Sequence, residues 1–214
     1  MDREANTARR EGPSLLPAEA VFGLSVDRLG PIRAEDFEHW SQGEENPVEL
    51  IEGWLLPMTP GTYGTGNILG RLFSLLAPLV QERGWSMSLD ARHRLPQPSD
   101  TVVFPDLVVH CAADVPYVPG TETVARVPEL VIEILGRETA ARDRAPHGAK
   151  FLAYQMSGVR EYYFAWPNGR DAAGFQLREG RFATVPRDPE GFFASPLLAT
   201  TLRLVPPALR SPAT

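Results

Sequence analysis

Two short β-branched runs each carry an acid where a buried strand would carry another aliphatic residue. Asp106 interrupts Val102-Val-Phe-Pro-Asp-Leu-Val-Val-His110, and Glu133 interrupts Pro128-Glu-Leu-Val-Ile-Glu-Ile-Leu135. A lone carboxylate in an apolar strand is costly unless a cation or hydrogen-bond donors compensate it. Two such acids on nearby strands therefore call for a shared positive partner, and a divalent metal is the simplest. Asp106, Glu133 and the carbonyl of Ile134 make a hard oxygen set that suits Mg²⁺ or Mn²⁺ better than zinc. Such an ion binds a phosphate oxygen, lowers the pKa of a bound water and stabilises charge on a leaving oxygen.

Of the 21 basic residues, the only lysine is Lys150; all the others are arginine. A compact ammonium with a tunable pKa is something arginine does not imitate, so the exception is a candidate for a fixed positive charge beside an attacking water. Together the three residues specify metal-assisted phosphodiester hydrolysis. The plainer readings stand beside this one. A lone lysine is often a solvated surface residue, a strand Asp is often a turn former, and a strand Glu can pair with an arginine. Glu49 also interrupts an apolar strand, Val48-Glu-Leu-Ile51, although an outward-facing residue would look the same. Glu52 reads as a turn residue, Arg92-His93-Arg94 as a solvated strand end, Cys111 as a packing residue, and His39 and His110 as surface residues.

The elements that must hold these groups follow from periodicity. Val48 to Gly53 and Trp54 to Met58 predict a hairpin, with further strands from Trp85 to Leu95, around Asp106, around Glu133, and over Glu161 to Trp166. Gly174 to Leu177 and Arg181 to Val185 predict another hairpin, and 196 to 205 a last extended segment. Ala34 to Ser41 can form a short helix, with Phe37 and Trp40 on one face. Asn67 is placed to cap a long helix with the stripe Ile68, Leu69, Leu72, Leu75, Leu76, Leu79 and Val80, kinked at Pro78 and stopped by Gly84. Pro146 can open a helix that Gly158 closes; Ala149, Leu152, Ala153 and Met156 would be its buried side, with Lys150 and Tyr154 on a neighbouring face at i,i+4. The loop 112–127 is long enough to be a flap.

At 214 residues and 43% hydrophobic, the chain can bury one core, expected over 28–206, with a mobile tail at 1–27 and a short one at 207–214. A net charge of -6 argues against a protein that coats nucleic acid by bulk electrostatics, while Arg137 to Lys150 could form a local basic patch. One cysteine allows no intramolecular disulfide, and no basic start leads into an apolar leader, so a cytoplasmic protein is the default expectation. The most continuous apolar stretch, Leu72 to Val80, is too short to span a bilayer, so no membrane role is expected.

An ordered series of motifs carries a resemblance: Glu49-Leu-Ile-Glu-Gly53, Pro105-Asp-Leu-Val-Val109, Pro128 to Leu135, Lys150-Phe-Leu-Ala-Tyr154, Gly158-Val-Arg-Glu-Tyr-Tyr163 and Ser195-Pro-Leu-Leu198. In this order they resemble the Uma2 (DUF820) family of restriction-endonuclease-like proteins, over roughly residues 30 to 205. The resemblance implies an α/β fold of the PD-(D/E)XK type, with a central mixed sheet flanked by helices. It further implies Asp106 and Glu133 as metal ligands, Lys150 as the catalytic lysine, Glu49 as a supporting acid, Mg²⁺ or Mn²⁺ as cofactor, and DNA as partner. Homodimerisation is expected by analogy with the two-fold symmetry of duplex cutting. The pattern departs at Leu135, where the usual lysine would stand, at Gly136 in place of a serine, and at Thr65 in place of a histidine. Two other functions remain open: a nuclease fold kept as a binding or scaffold module, and a small-molecule hydrolase using the same metal.

Overall fold

The structure, a computed structural model, describes residues 31–40, 48–58, 61–136, 148–166 and 171–204. The expected tails, the Arg137–His147 part of the basic patch, and Pro146 lie outside the described residues. Helix α1 (Ala34–Trp40) leads into the hairpin β1 (Val48–Ile51) and β2 (Trp54–Pro57), followed by the long helix α2 (Tyr63–Glu82). Next come β3 (Ser86–Leu89), β4 (His93–Leu95), β5 (Thr101–Val103), β6 (Leu107–His110) and β7 (Leu130–Ile134). Helix α3 (Ala149–Ser157) precedes β8 (Glu161–Ala165), β9 (Ala172–Arg178), β10 (Arg181–Val185), β11 (Phe193–Ser195) and β12 (Thr200–Leu202).

Near-continuous apolar runs such as β6 and β7 are what strands covered on both faces require. They form the centre of a six-stranded mixed sheet in the order β10-β9-β8-β7-β6-β3, as expected of an α/β mixed sheet flanked by helices. Among the described strands of this sheet only β7 and β8 pair in parallel, which demands a crossover, and α3 lies in that connection. One face packs Leu107, Val109, Leu130 and Ile132 under Leu72 and Leu76 of α2. The other packs Val108, Val131 and Tyr162 under Phe151 and Tyr154 of α3, together with Ile51 and Val103 of a second sheet, β2-β1-β5-β4.

Several local expectations change. Helix α2 starts a turn earlier than Asn67, because Thr62 and Thr65 cap each other: each side-chain oxygen accepts from the other's backbone N–H at 3.3 Å. Leu75 is 45% exposed, since the buried positions Thr65, Ile68, Leu69, Leu72, Leu76 and Val80 already fill the stripe. On α3 the buried side is Lys150, Phe151, Ala153 and Tyr154, while Leu152 and Met156 are exposed. The helix is therefore rotated from its apolar pattern to turn its lysine inward. The last extended segment is the small hairpin β11–β12. Ser195 Oγ donates to the buried Glu161 at 2.5 Å, so the Ser195-Pro-Leu-Leu198 motif anchors that hairpin to the sheet.

Candidate active site

Side chains alternate between the faces of a strand, and Val108, Val131 and Leu135 all point toward α3. Asp106 and Glu133 fall in step with them, on the same face. The β6–β7 register pairs Leu107 with Ile132 and Val108 with Val131. One further step sets Asp106 opposite Glu133. Asp106 Oδ2 accepts the backbone N–H of Ile134 at 2.5 Å, so Ile134 meets the acid through its amide.

The first turn of α3 delivers Lys150 to this face. Its ammonium is 2.7 Å from Glu133 Oε1 and 2.8 Å from Glu49 Oε1, and the side chain is only 3% exposed. A cation at a helix N-terminus opposes the helix dipole, and the two carboxylates offset that. Glu49 is fully buried and also accepts the Phe104 backbone N–H at 2.9 Å. It therefore belongs to the site and is no outward-facing residue. Because Glu49 lies on β1 and Glu133 on β7, the lysine joins the small sheet to the large one.

Two participants were not assigned from sequence. The Tyr154 hydroxyl donates to Glu133 Oε1 at 2.6 Å, and the i,i+4 spacing from Lys150 was its only advance signal. Asp90, in the turn after β3, donates its backbone N–H to the Asp106 carbonyl at 3.3 Å. Nothing in the local sequence marks that contact.

Burial pushes the Asp106 carboxyl up to about 6; the Ile134 N–H and the Lys150 ammonium pull it down, and Asp90 and Glu49 push it further up. The Tyr154 phenol lies well above its ordinary value, first through burial and then through the Glu133 charge. Asp106 is thus an acid short of compensating positive charge. Among the described residues no three His, Cys, Asp or Glu side chains gather into a cage. Mg²⁺ needs none, since it commonly takes one or two carboxylates and keeps waters or phosphate oxygens for the rest. Asp106 and Glu133, two carboxylates on one face of the sheet, are the type of oxygen donor such an ion takes.

The basic triplet is not a solvated strand end. Arg92 stacks on the Phe104 ring at 5.0 Å, Arg94 pairs with the buried Glu38, and His93 is buried. His110, expected at the surface, is 2% exposed because its Nε2 meets His93 Nε2 at 3.0 Å, a second link between the sheets. Cys111, expected to pack, is only half-buried. A cleft of about 760 Å³ is lined by Asp90, Arg92, Phe104, His110 and Tyr117, among others; Glu49, Asp106, Glu133 and Lys150 are not part of its lining.

The mixed sheet, its covering helices and this face of acids define a nuclease-fold protein. The chain belongs to the Uma2 family, whose model, described as "Putative restriction endonuclease", matches residues 34–205. Among solved structures it is similar to a "putative nuclease belonging to DUF820" from Anabaena variabilis. That likeness has a TM-score of 0.61 at 16% identity and covers 81% of this chain and 96% of that one. At such identity the likeness shows the fold. None of the curated proteins compared with the chain matches it.

Proposed function

We propose that this chain is a metal-dependent endonuclease of the cytoplasm that hydrolyses phosphodiester bonds of DNA. The observation that carries the proposal is the convergence of Glu49, Glu133 and Lys150 within 2.8 Å on the sheet face that also bears Asp106. Family membership gives the nuclease-like frame. Asp106 and Glu133 would hold Mg²⁺ or Mn²⁺, which when bound supplies Lewis-acid activation of a phosphate oxygen and a water. Lys150 holds a fixed positive charge against Glu133 and steadies charge developing beside it. Glu49 keeps that ammonium in place from the opposite sheet, and the Ile134 N–H orients Asp106. Phe104, whose backbone N–H holds Glu49, also lines the cleft together with Arg92. Cutting both strands of a duplex calls for two copies of the site, hence a homodimer.

A second reading, a nuclease fold used for binding alone, has one observation behind it. The Lys150 ammonium is 3% exposed and already engaged by two carboxylates.

Plasmid nicking decides between them. The nuclease reading expects nicking that needs Mg²⁺ or Mn²⁺ and disappears in folded Asp106→Asn and Lys150→Met proteins. Equal nicking by all three would assign the activity to a contaminant, and none with any DNA or RNA would leave the binding reading.

A further inference from the structure

We infer that Tyr154 is a positioning residue that fixes the orientation of the Glu133 carboxylate. The inference rests on the reading of Glu133 as a metal ligand. Tyr154 is fully buried, and its hydroxyl reaches Glu133 Oε1 at 2.6 Å, the same oxygen that takes the Lys150 ammonium at 2.7 Å. Both donors come from one face of α3, a turn apart.

The two are not equivalent. Lys150 has three rotatable donors on a flexible stem and divides them between Glu49 and Glu133, so it can follow a carboxylate that turns. Tyr154 has a single O–H at the end of a rigid ring. That ring packs 5.3 Å from the Tyr162 ring within the cluster that holds Val108, Val131 and Leu135. The terminal torsion of a glutamate is broad and roughly two-fold, and fixing one oxygen removes that freedom. Partners of metal-binding carboxylates typically matter 10–100-fold for metal affinity.

A buried tyrosine that merely satisfies its own hydroxyl would show the same bond, so the test needs a readout beyond stability. Tyr154→Phe keeps the ring and removes the O–H. Mn²⁺ binding by calorimetry should weaken about 10-fold or more, and kcat for nicking should fall while KM for DNA holds. Unchanged Mn²⁺ affinity with only a lower melting temperature would overturn the inference. If wild type binds Mn²⁺ but cuts no DNA, the nuclease reading falls, and the affinity ratio still judges Tyr154. If wild type binds no Mn²⁺, both fall. Wild-type protein labelled with ¹³C-tyrosine supplies a measurement independent of the variant's folding. Titration with Mg²⁺ should shift the Tyr154 ring signals, and signals that stay put at saturating metal would overturn the inference.

Discussion

The Lys150 ammonium stands 2.8 Å from Glu49 Oε1, and that bond ties the helix over the large sheet to the first strand of the small one. Glu49 is wholly buried and Lys150 nearly so, which makes the pair part of the core as well as of the acid site.

Lys150→Met leaves two buried carboxylates without their cation. Breaking a buried pair from one side costs about 3–5 kcal/mol, far more than losing a surface lysine. The urea midpoint at pH 7.5 should fall accordingly, and adding Glu133→Gln should recover part of the loss. A midpoint within error of wild type would show that the ammonium contributes no such compensation.

Asp106 makes stability fall as pH rises. Its folded value of about 6 lies above the ordinary 3.8, so between those values the native state holds a proton that the unfolded chain has released. Ionisation through pH 6 then costs stability, on the order of 1–2 kcal/mol for this partly exposed group. Asp106→Asn should be more stable than wild type at pH 8, with the gap closing by pH 4. Chemical denaturation at the two pH values checks it.

Mn²⁺ should raise the melting temperature of wild type and leave Asp106→Asn unmoved. A ligand that binds only the folded state stabilises it by about 2.7 kcal/mol at a hundred times its Kd. Differential scanning fluorimetry at pH 8 reads the difference, and an equal rise in both proteins would place the ion elsewhere.

The His93–His110 contact works in the opposite sense. Burial holds both imidazoles down at about 4, below the ordinary 6.5. Unfolding below 6.5 therefore takes up protons, and stability drops as pH falls from 6.5 toward 4. His110→Phe should flatten that slope in a urea-midpoint series, and an unchanged slope would assign it to other groups.

Ser195→Ala should destabilise by about 1–3 kcal/mol, because it removes the hydroxyl that donates to buried Glu161 and accepts the Leu198 N–H. Mn²⁺ affinity should stay at the wild-type value, since these residues hold β11 against the sheet and make no hydrogen bond to Glu49, Asp106 or Glu133. A calorimetric titration of the variant separates this anchoring role from a catalytic one.

The sequence alone determined which residues were out of place: two acids inside apolar strands, a third in Val48 to Ile51, and one lysine among arginines. Such anomalies are local, because burial of a strand and the cost of a carboxylate within it are both written in a few neighbouring residues. It also determined the strands and the turn glycines, of which Gly158 ends α3 with φ 89°. Tertiary structure decided which anomalies meet. A one-residue slip of register would turn Asp106 or Glu133 to the other face, and only long-range pairing fixes that register. The same holds for Glu49, on a separate sheet, and for His110, whose burial follows from a histidine across the sheet boundary. The inward turn of Lys150 was set by the two carboxylates waiting for it, which outweighed the apolar pattern of its own helix.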